Sequence, residues 1–261
     1  MRFQLASDLH LEMLTRFPGY RVIAPAPDAD ALLLAGDIHE HTHAVKAFAD
    51  WPVPVLYVHG NHEAFRAHYW GVTKEISRVS AETGVHHLER KTFTFGNVRV
   101  LGCCLWTDYA LLGDPRKAMS QVRNVMPDHQ LIRTQGGGYF GPEEAQGEFV
   151  KSRAWLEQAL RQEFDGKTVV MTHHAPHPRS IAPQHANDPL SSSFASDLSD
   201  LLPSVDVWVH GHLHENSDYR VGRCQVIANP RGVATNRNYA EGPADLTWEN
   251  PAFNPSLVIE V

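Results

Sequence analysis

The sequence predicts an α/β fold in which two β-sheets pack face to face with helices outside them. Three observations carry that prediction. Five short apolar runs, RFQLAS, ALLLAGD, PVLYVHGN, KTVVMTHH and VDVWVHGH, read as buried strands, each ending in polar residues and most with a glycine there. Helical periodicity occupies the gaps after the second and third runs. Alternating, hairpin-like pattern takes over later, and a length of 261 residues suits one domain, 1–261, with a substantial core.

Taken in order, residues 41–51 (HTHAVKAFADW) and 66–83 have apolar positions spaced by three and four, the mark of amphipathic helices. Residues 85–106 alternate and are punctuated by Gly96-Asn97, which predicts a hairpin. The stretch 108–147 is less regular, contains Gly136, Gly137 and Gly138, and is expected to form a small cap or rim segment. Residues 148–164 return to helical periodicity, SDYRVG and RCQVIA read as strands, and the chain closes on a last apolar run, SLVIEV. No internal repeat or low-complexity tract interrupts this order.

Composition narrows the functions available. A formal net charge of -7 disfavours a long nucleic-acid surface, which would need many Lys and Arg along the phosphates, but leaves small phosphate esters open if positive charge is local. No run approaches the roughly 18 apolar residues of a membrane span, and MRFQLASDLH lacks the features of a signal peptide. Cys103, Cys104 and Cys224 are odd in number and two are adjacent, so a reducing, cytoplasmic setting is expected. Seventeen histidines are the anomaly, because imidazole is a common transition-metal ligand.

Those histidines are placed where chemistry is presented. The first run leads into Asp8-Leu9-His10, the second into Gly36-Asp37, the third into Gly60-Asn61-His62-Glu63, the fourth into His173-His174 and the fifth into Gly211-His212-Leu213-His214. Residues two apart on an extended chain point to one side, so Asp8 with His10, and His212 with His214, could each meet a single cation. All of these ligands are nitrogen or oxygen, none thiolate.

The ordered set D-x-H, GD, GNHE, a His after a strand and G-H-x-H resembles the calcineurin-like metallophosphoesterase family over most of the chain. The resemblance implies a two-sheet sandwich and a dinuclear metal centre. It places Asp8, His10 and His214 on one cation, Asn61, His173 and His212 on the other, and Asp37 between them. It also implies a hydroxide bridging the cations as the nucleophile on phosphorus. Two divalent cations outweigh Asp8, Asp37 and one hydroxide, so the centre stays locally positive in an acidic protein. Manganese, iron or zinc suits the donor set, and magnesium suits it poorly.

By the same resemblance His62 lies beside the metals without coordinating them and protonates the departing oxygen. Glu40, three residues after Asp37, is either the carboxylate that orients His62 or a surface carboxylate at a helix start. Arg231 either reaches the phosphate or forms a structural ion pair. Glu63, His174, His210 and His59 are expected to be structural, and Trp106, Tyr109, Tyr139 and Phe140 to be core or rim.

The expected function is therefore metal-dependent hydrolysis of a phosphomonoester or phosphodiester. A cyclic-nucleotide or small-nucleotide phosphodiesterase and a general phosphatase both fit. A non-catalytic binding or scaffold protein on the same fold is the alternative, disfavoured by the presence of Asp37, Asn61 and His62. The expected partner is a small phosphate ester, with no membrane and no long nucleic acid.

Overall fold

Successive residues of a strand face opposite ways, so a strand buried on both faces must be apolar throughout. That is how the five runs behave in the computed structural model, which describes residues 1–261. The elements, in chain order, are β1 (Arg2–Ala6), β2 (Ala31–Ala35), α1 (His43–Phe48), β3 (Val55–Val58), α2 (Tyr69–Ser80), β4 (Val85–His87), β5 (Lys91–Phe95) and β6 (Val98–Cys103). They continue through α3 (Pro115–Val122), α4 (Asp128–Leu131), α5 (Pro142–Leu160), β7 (Lys167–Thr172), β8 (Val207–His210), β9 (Ser217–Val221), β10 (Cys224–Ala228) and β11 (Val258–Glu260).

Two mixed sheets result, with strand orders β11-β1-β2-β3-β4 and β5-β6-β7-β8-β10-β9. Phe3, Leu5, Leu33, Leu56 and Val58 of the first sheet meet Val98, Val100, Val169, Met171, Val207 and Val209 of the second in one buried layer. The intervening residues Leu32, Leu34, Val55 and Tyr57 turn outward to Val45, Phe48 and Ile76 of α1 and α2. On the far side Leu101, Val170 and Trp208 pack with Phe149 and Leu156 of α5. Each such buried side chain contributes about 1.5 to 3 kcal/mol.

The structure amends two expectations. The 85–106 segment is not one hairpin: β4 runs parallel to β3 in the first sheet, and only β5 and β6 pair antiparallel, turning at Gly96 with φ of 58°. Val85 is drawn to the outer layer with Ile76, which separates it from the hairpin. Helix α5 begins at Pro142, not near residue 148, because proline suits a first helical position and Glu144 caps the backbone N–H of Gly141 at 2.9 Å. The irregular stretch therefore ends at Gly141. Met119, Val122, Ile132 and Phe140 of that stretch belong to the same buried cluster as Trp208.

No helix is long and apolar enough to cross a membrane. All three cysteines are free and buried.

The parallel strands β1, β2 and β3 end beside the ends of β7 and β8, and β2 touches β7 across the layer. The five polar loops are thereby gathered at one edge of the sandwich.

Candidate metal centre

The ligand candidates converge by a route that spacing alone misstates. Strands β1 and β8 stop at Ala6 and His210, so the D-x-H and H-x-H residues lie beyond extended structure. Asp8, His10, Asp37, His212 and His214 all have left-handed backbone, with φ of 52°, 43°, 54°, 72° and 53°. Such residues cost on the order of 1 to 3 kcal/mol each and persist only where surroundings hold them. Here the hold is mutual: the Asp8 N–H donates to Gly36 O at 2.9 Å, His10 N–H to Asp37 O at 3.0 Å, and His212 N–H to Asp8 Oδ1 at 3.0 Å.

Three groups of ligand atoms form: Asp8 with His10 and His214, His10 with Asp37 and His62, and Asp37 with His173 and His212. In the first, His10 Nε2 lies 3.0 Å from His214 Nε2, which is 3.5 Å from Asp8 Oδ1. At the other end, His173 Nε2 lies 2.9 Å from Asn61 Oδ1, 3.1 Å from His212 Nδ1 and 3.4 Å from Asp37 Oδ1. The other Asp37 oxygen, Oδ2, is 4.0 Å from His10 Nε2. Ligands about 2.0 to 2.1 Å from one cation and at right angles to each other sit about 3 Å apart, so the shortest spacings, in the first and last of these groups, fit one cation each. All of these donors are nitrogen or oxygen.

Space for the groups is reserved by glycine. A Cβ on Gly60 would come within 2.1 Å of Asp37 Oδ1 and 2.7 Å of His173 Nε2, so no larger residue fits there.

An outer layer of acceptors orients the rings. His10 Nδ1 faces Glu12 Oε1 at 3.0 Å, His214 Nδ1 faces Glu249 Oε2 at 2.7 Å, and His173 Nδ1 faces Ala35 O at 2.9 Å. Asn61 Nδ2 donates to Asp128 Oδ1 at 2.6 Å, which leaves the amide oxygen turned to His173. His212 differs: its buried Nε2 has no partner, and its ring packs 4.3 Å from that of His174 and 4.8 Å from that of Phe194.

Glu63 ties the loops together, accepting from the backbone N–H groups of Asp37, Ile38 and Gly60 at 3.2, 2.9 and 2.8 Å and from Tyr57 Oη at 2.7 Å. Glu63→Ala leaves four buried donors without an acceptor and is expected to cost about 4 kcal/mol or more of unfolding free energy in a urea titration. A loss below about 1 kcal/mol would contradict that role.

The field here favours cations. Burial opposes charge on His173 and His214, yet Asp37 and Asp8 raise His173 to about 9, and Asp8 with Glu249 raise His214 to about 10. Burial also opposes ionisation of Asp8 and Asp37, but their histidine neighbours hold both below the usual range. By contrast, burial pushes His174 and His59 down to about 3 and His210 to about 4, as befits neutral interior rings.

A pH dependence follows. His173 and His214 have folded values above the unfolded one near 6.5, so in metal-stripped protein their stabilisation is complete below pH ~6.5 and is lost as pH rises through about 9 to 10. A cation held by these two rings would displace those protons, so its affinity should rise over the same window. The gain in melting temperature on adding Zn²⁺ or Mn²⁺ should widen from pH ~6.5 to ~9, and a gain flat with pH would refute the coupling.

His62 stands at the mouth of the centre, with Nε2 3.8 Å from Asp37 Oδ2 and its ring stacked on Phe65 at 4.0 Å. It lines a cavity of about 380 Å³ together with Asn61, Met126, Asp128, Phe194 and His214. Burial opposes its charge, but Asp37 and Glu12 raise it to about 9.

The structure places Glu40 and Arg231 away from the convergent rings. Glu40 does not touch His62; it pairs outward with Arg66 Nη1 at 2.6 Å. The carboxylate at His62 Nδ1 is Glu12, at 3.3 Å. Arg231 does neither of the things expected of it: its guanidinium stacks 3.9 Å from the Trp248 ring centroid, no side-chain nitrogen has a hydrogen-bond partner, and it is absent from the cavity lining. Glu12, Asp128 and Glu249 were missed, although extending the alternation of Asp8 and His10 by one more step would have flagged Glu12.

Comparison with known proteins gives the family and the fold. The calcineurin-like phosphoesterase family profile matches residues 1–216. No curated protein matches the chain. Among solved structures, phosphopantetheinyl hydrolase from Mycobacterium tuberculosis superposes with a TM-score of 0.66 at 17% identity, covering 97% of this chain and 98% of that one. A dimetal phosphatase from Danio rerio aligns more loosely, with a TM-score of 0.44 and 14% identity over 87% of this chain and 86% of its own. With the family profile over most of its length and His and Asp groups set to hold metal, the chain belongs to the calcineurin-like phosphoesterases and is a metal-dependent hydrolase of phosphate esters.

Proposed function

We propose that the protein hydrolyses a small phosphodiester at a centre in which Asp8, His10 and His214 hold one cation and Asn61, His173 and His212 the other. Asp37 spans both. The observation that carries this reading is that the two oxygens of Asp37 face different histidines, Oδ1 towards His173 at 3.4 Å and Oδ2 towards His10 at 4.0 Å. When bound, the paired cations supply Lewis acidity and an activated water for attack on phosphorus.

The chain's own residues do the rest. His62 presents a proton to the departing oxygen, and Phe65, Met126 and Phe194 offer an apolar wall to the organic group. No Lys or Arg lines the cavity, whereas Glu215 and Glu249 do. The bound cations would attract either ester, and the acidic rim beyond them adds less repulsion for a singly charged diester than for a dianionic monoester or a polyphosphate. The cavity volume of about 380 Å³ suits a small ester, including a small nucleotide.

The deciding experiment compares a chromogenic bis-ester, its monoester and cyclic nucleotides after reconstitution with manganese, iron or zinc. Faster cleavage of the diesters is expected. Preference for the monoester overturns the diester assignment, and no turnover with any metal overturns the catalytic reading in favour of a binding protein on this fold.

A further inference from the structure

One carboxylate oxygen serves two histidines with different work to do. Glu12 Oε1 lies 3.0 Å from Nδ1 of His10 and 3.3 Å from Nδ1 of His62. A carboxylate oxygen has two lone pairs, enough to accept from both N–H groups. The two rings sit edge to face, with centroids 4.4 Å apart at 68°. Glu12 belongs to the short turn Leu11–Met13, pinned by Leu11 N–H to Ile38 O at 3.0 Å and Met13 N–H to His10 O at 3.0 Å. Its side chain is only 8% exposed, so water competes weakly for Oε1.

Accepting at both Nδ1 atoms dictates the direction of both Nε2 atoms. His10 Nε2 is left facing His214 Nε2 at 3.0 Å, and His62 Nε2 is left facing Asp37 Oδ2 at 3.8 Å. We propose that Glu12 is a positioning residue that orients a metal ligand and the proton donor together, so that cation binding and leaving-group protonation depend on one carboxylate. This rests on the roles given above to His10 and His62. Oε2 of Glu12 has no partner, so glutamine can keep the shared acceptor without displacing another bond.

The test uses the full chain in three forms, wild type, Glu12→Gln and Glu12→Ala. Calorimetric titration of metal-free protein with Zn²⁺ should show affinity for one cation falling about 10 to 100-fold in Glu12→Ala and less than about 10-fold in Glu12→Gln. Nitrogen-15 spectra of labelled histidine should show Nδ1–H on His10 and His62 in wild type and Glu12→Gln, with a changed tautomer pattern for both in Glu12→Ala. With reconstituted enzyme, Glu12→Ala should lose about 100-fold more rate on a diester with a poor leaving group than on one with a good leaving group.

An alanine variant with unchanged affinity and unchanged leaving-group dependence overturns the proposal, and so does the loss of only one of the two. If Glu12→Ala does not fold, Glu12→Asp, which withdraws the carboxylate by one methylene, must alter both histidine signals or the proposal fails. Unchanged Zn²⁺ binding in His10→Ala would instead sink the ligand assignment, whatever the Glu12 variants do.

Discussion

Asp37→Ala is expected to lower kcat/KM for any phosphate ester by about 10³-fold or more, since losing several kcal/mol of metal-borne stabilisation costs a factor of ten per ~1.4 kcal/mol. The Asp37 carboxylate groups with His10 on one side and with His173 and His212 on the other, and its Oδ1 also accepts the backbone N–H of His62 at 2.9 Å. Removing it takes a ligand from each proposed cation and loosens the loop that carries the proton donor. It also removes the foremost charge opposing burial at His173 and His62, so both rings should titrate below the value of about 9 they have with Asp37 present. Metal content by elemental analysis, read beside kcat/KM, checks the claim. A variant that keeps two cations and stays within tenfold of wild type would refute the spanning role.

His62→Ala should act selectively. A proton donor matters in proportion to how poor the leaving group is, so an alkyl ester should slow by about 10² to 10⁴-fold, while an ester that releases nitrophenolate should slow by less than about tenfold. The position supports this: the His62 side chain is the outermost of the convergent rings after His214, at 18% exposure, and borders the cavity. Metal binding should survive, because His62 is outside the two triads assigned to cations. Equal losses on both esters would mean that His62 supports the site without donating a proton.

Much of this was legible before any coordinates. The apolar runs could be read as strands because both their faces are buried, and a strand buried on both faces has few other compositions open to it. Asp8, Asp37, His173 and His212 could be picked out because polar residues that directly follow such runs have nowhere to sit but the sheet edge. The 85–106 segment was misread because alternation tells which face a residue takes and not which sheet it joins, and Val85 was claimed by the first sheet.

The partners of the site were harder to see, for a related reason. Glu40 and Glu12 were both carboxylates near a candidate in sequence, yet Glu40 turns out to Arg66 while Glu12 reaches His62, fifty positions away. Asp128 meets Asn61 across 67 positions and Glu249 meets His214 across 35. The sequence alone settled which residue types stand at the ends of which strands, because burial and hydropathy are local properties. Only the packed chain settled that five of them take left-handed backbone, that Gly60 must lack a side chain, and which acceptor holds each ring. Those outcomes depend on where two separate sheets bring their loops, a matter of long-range packing that no local pattern encodes.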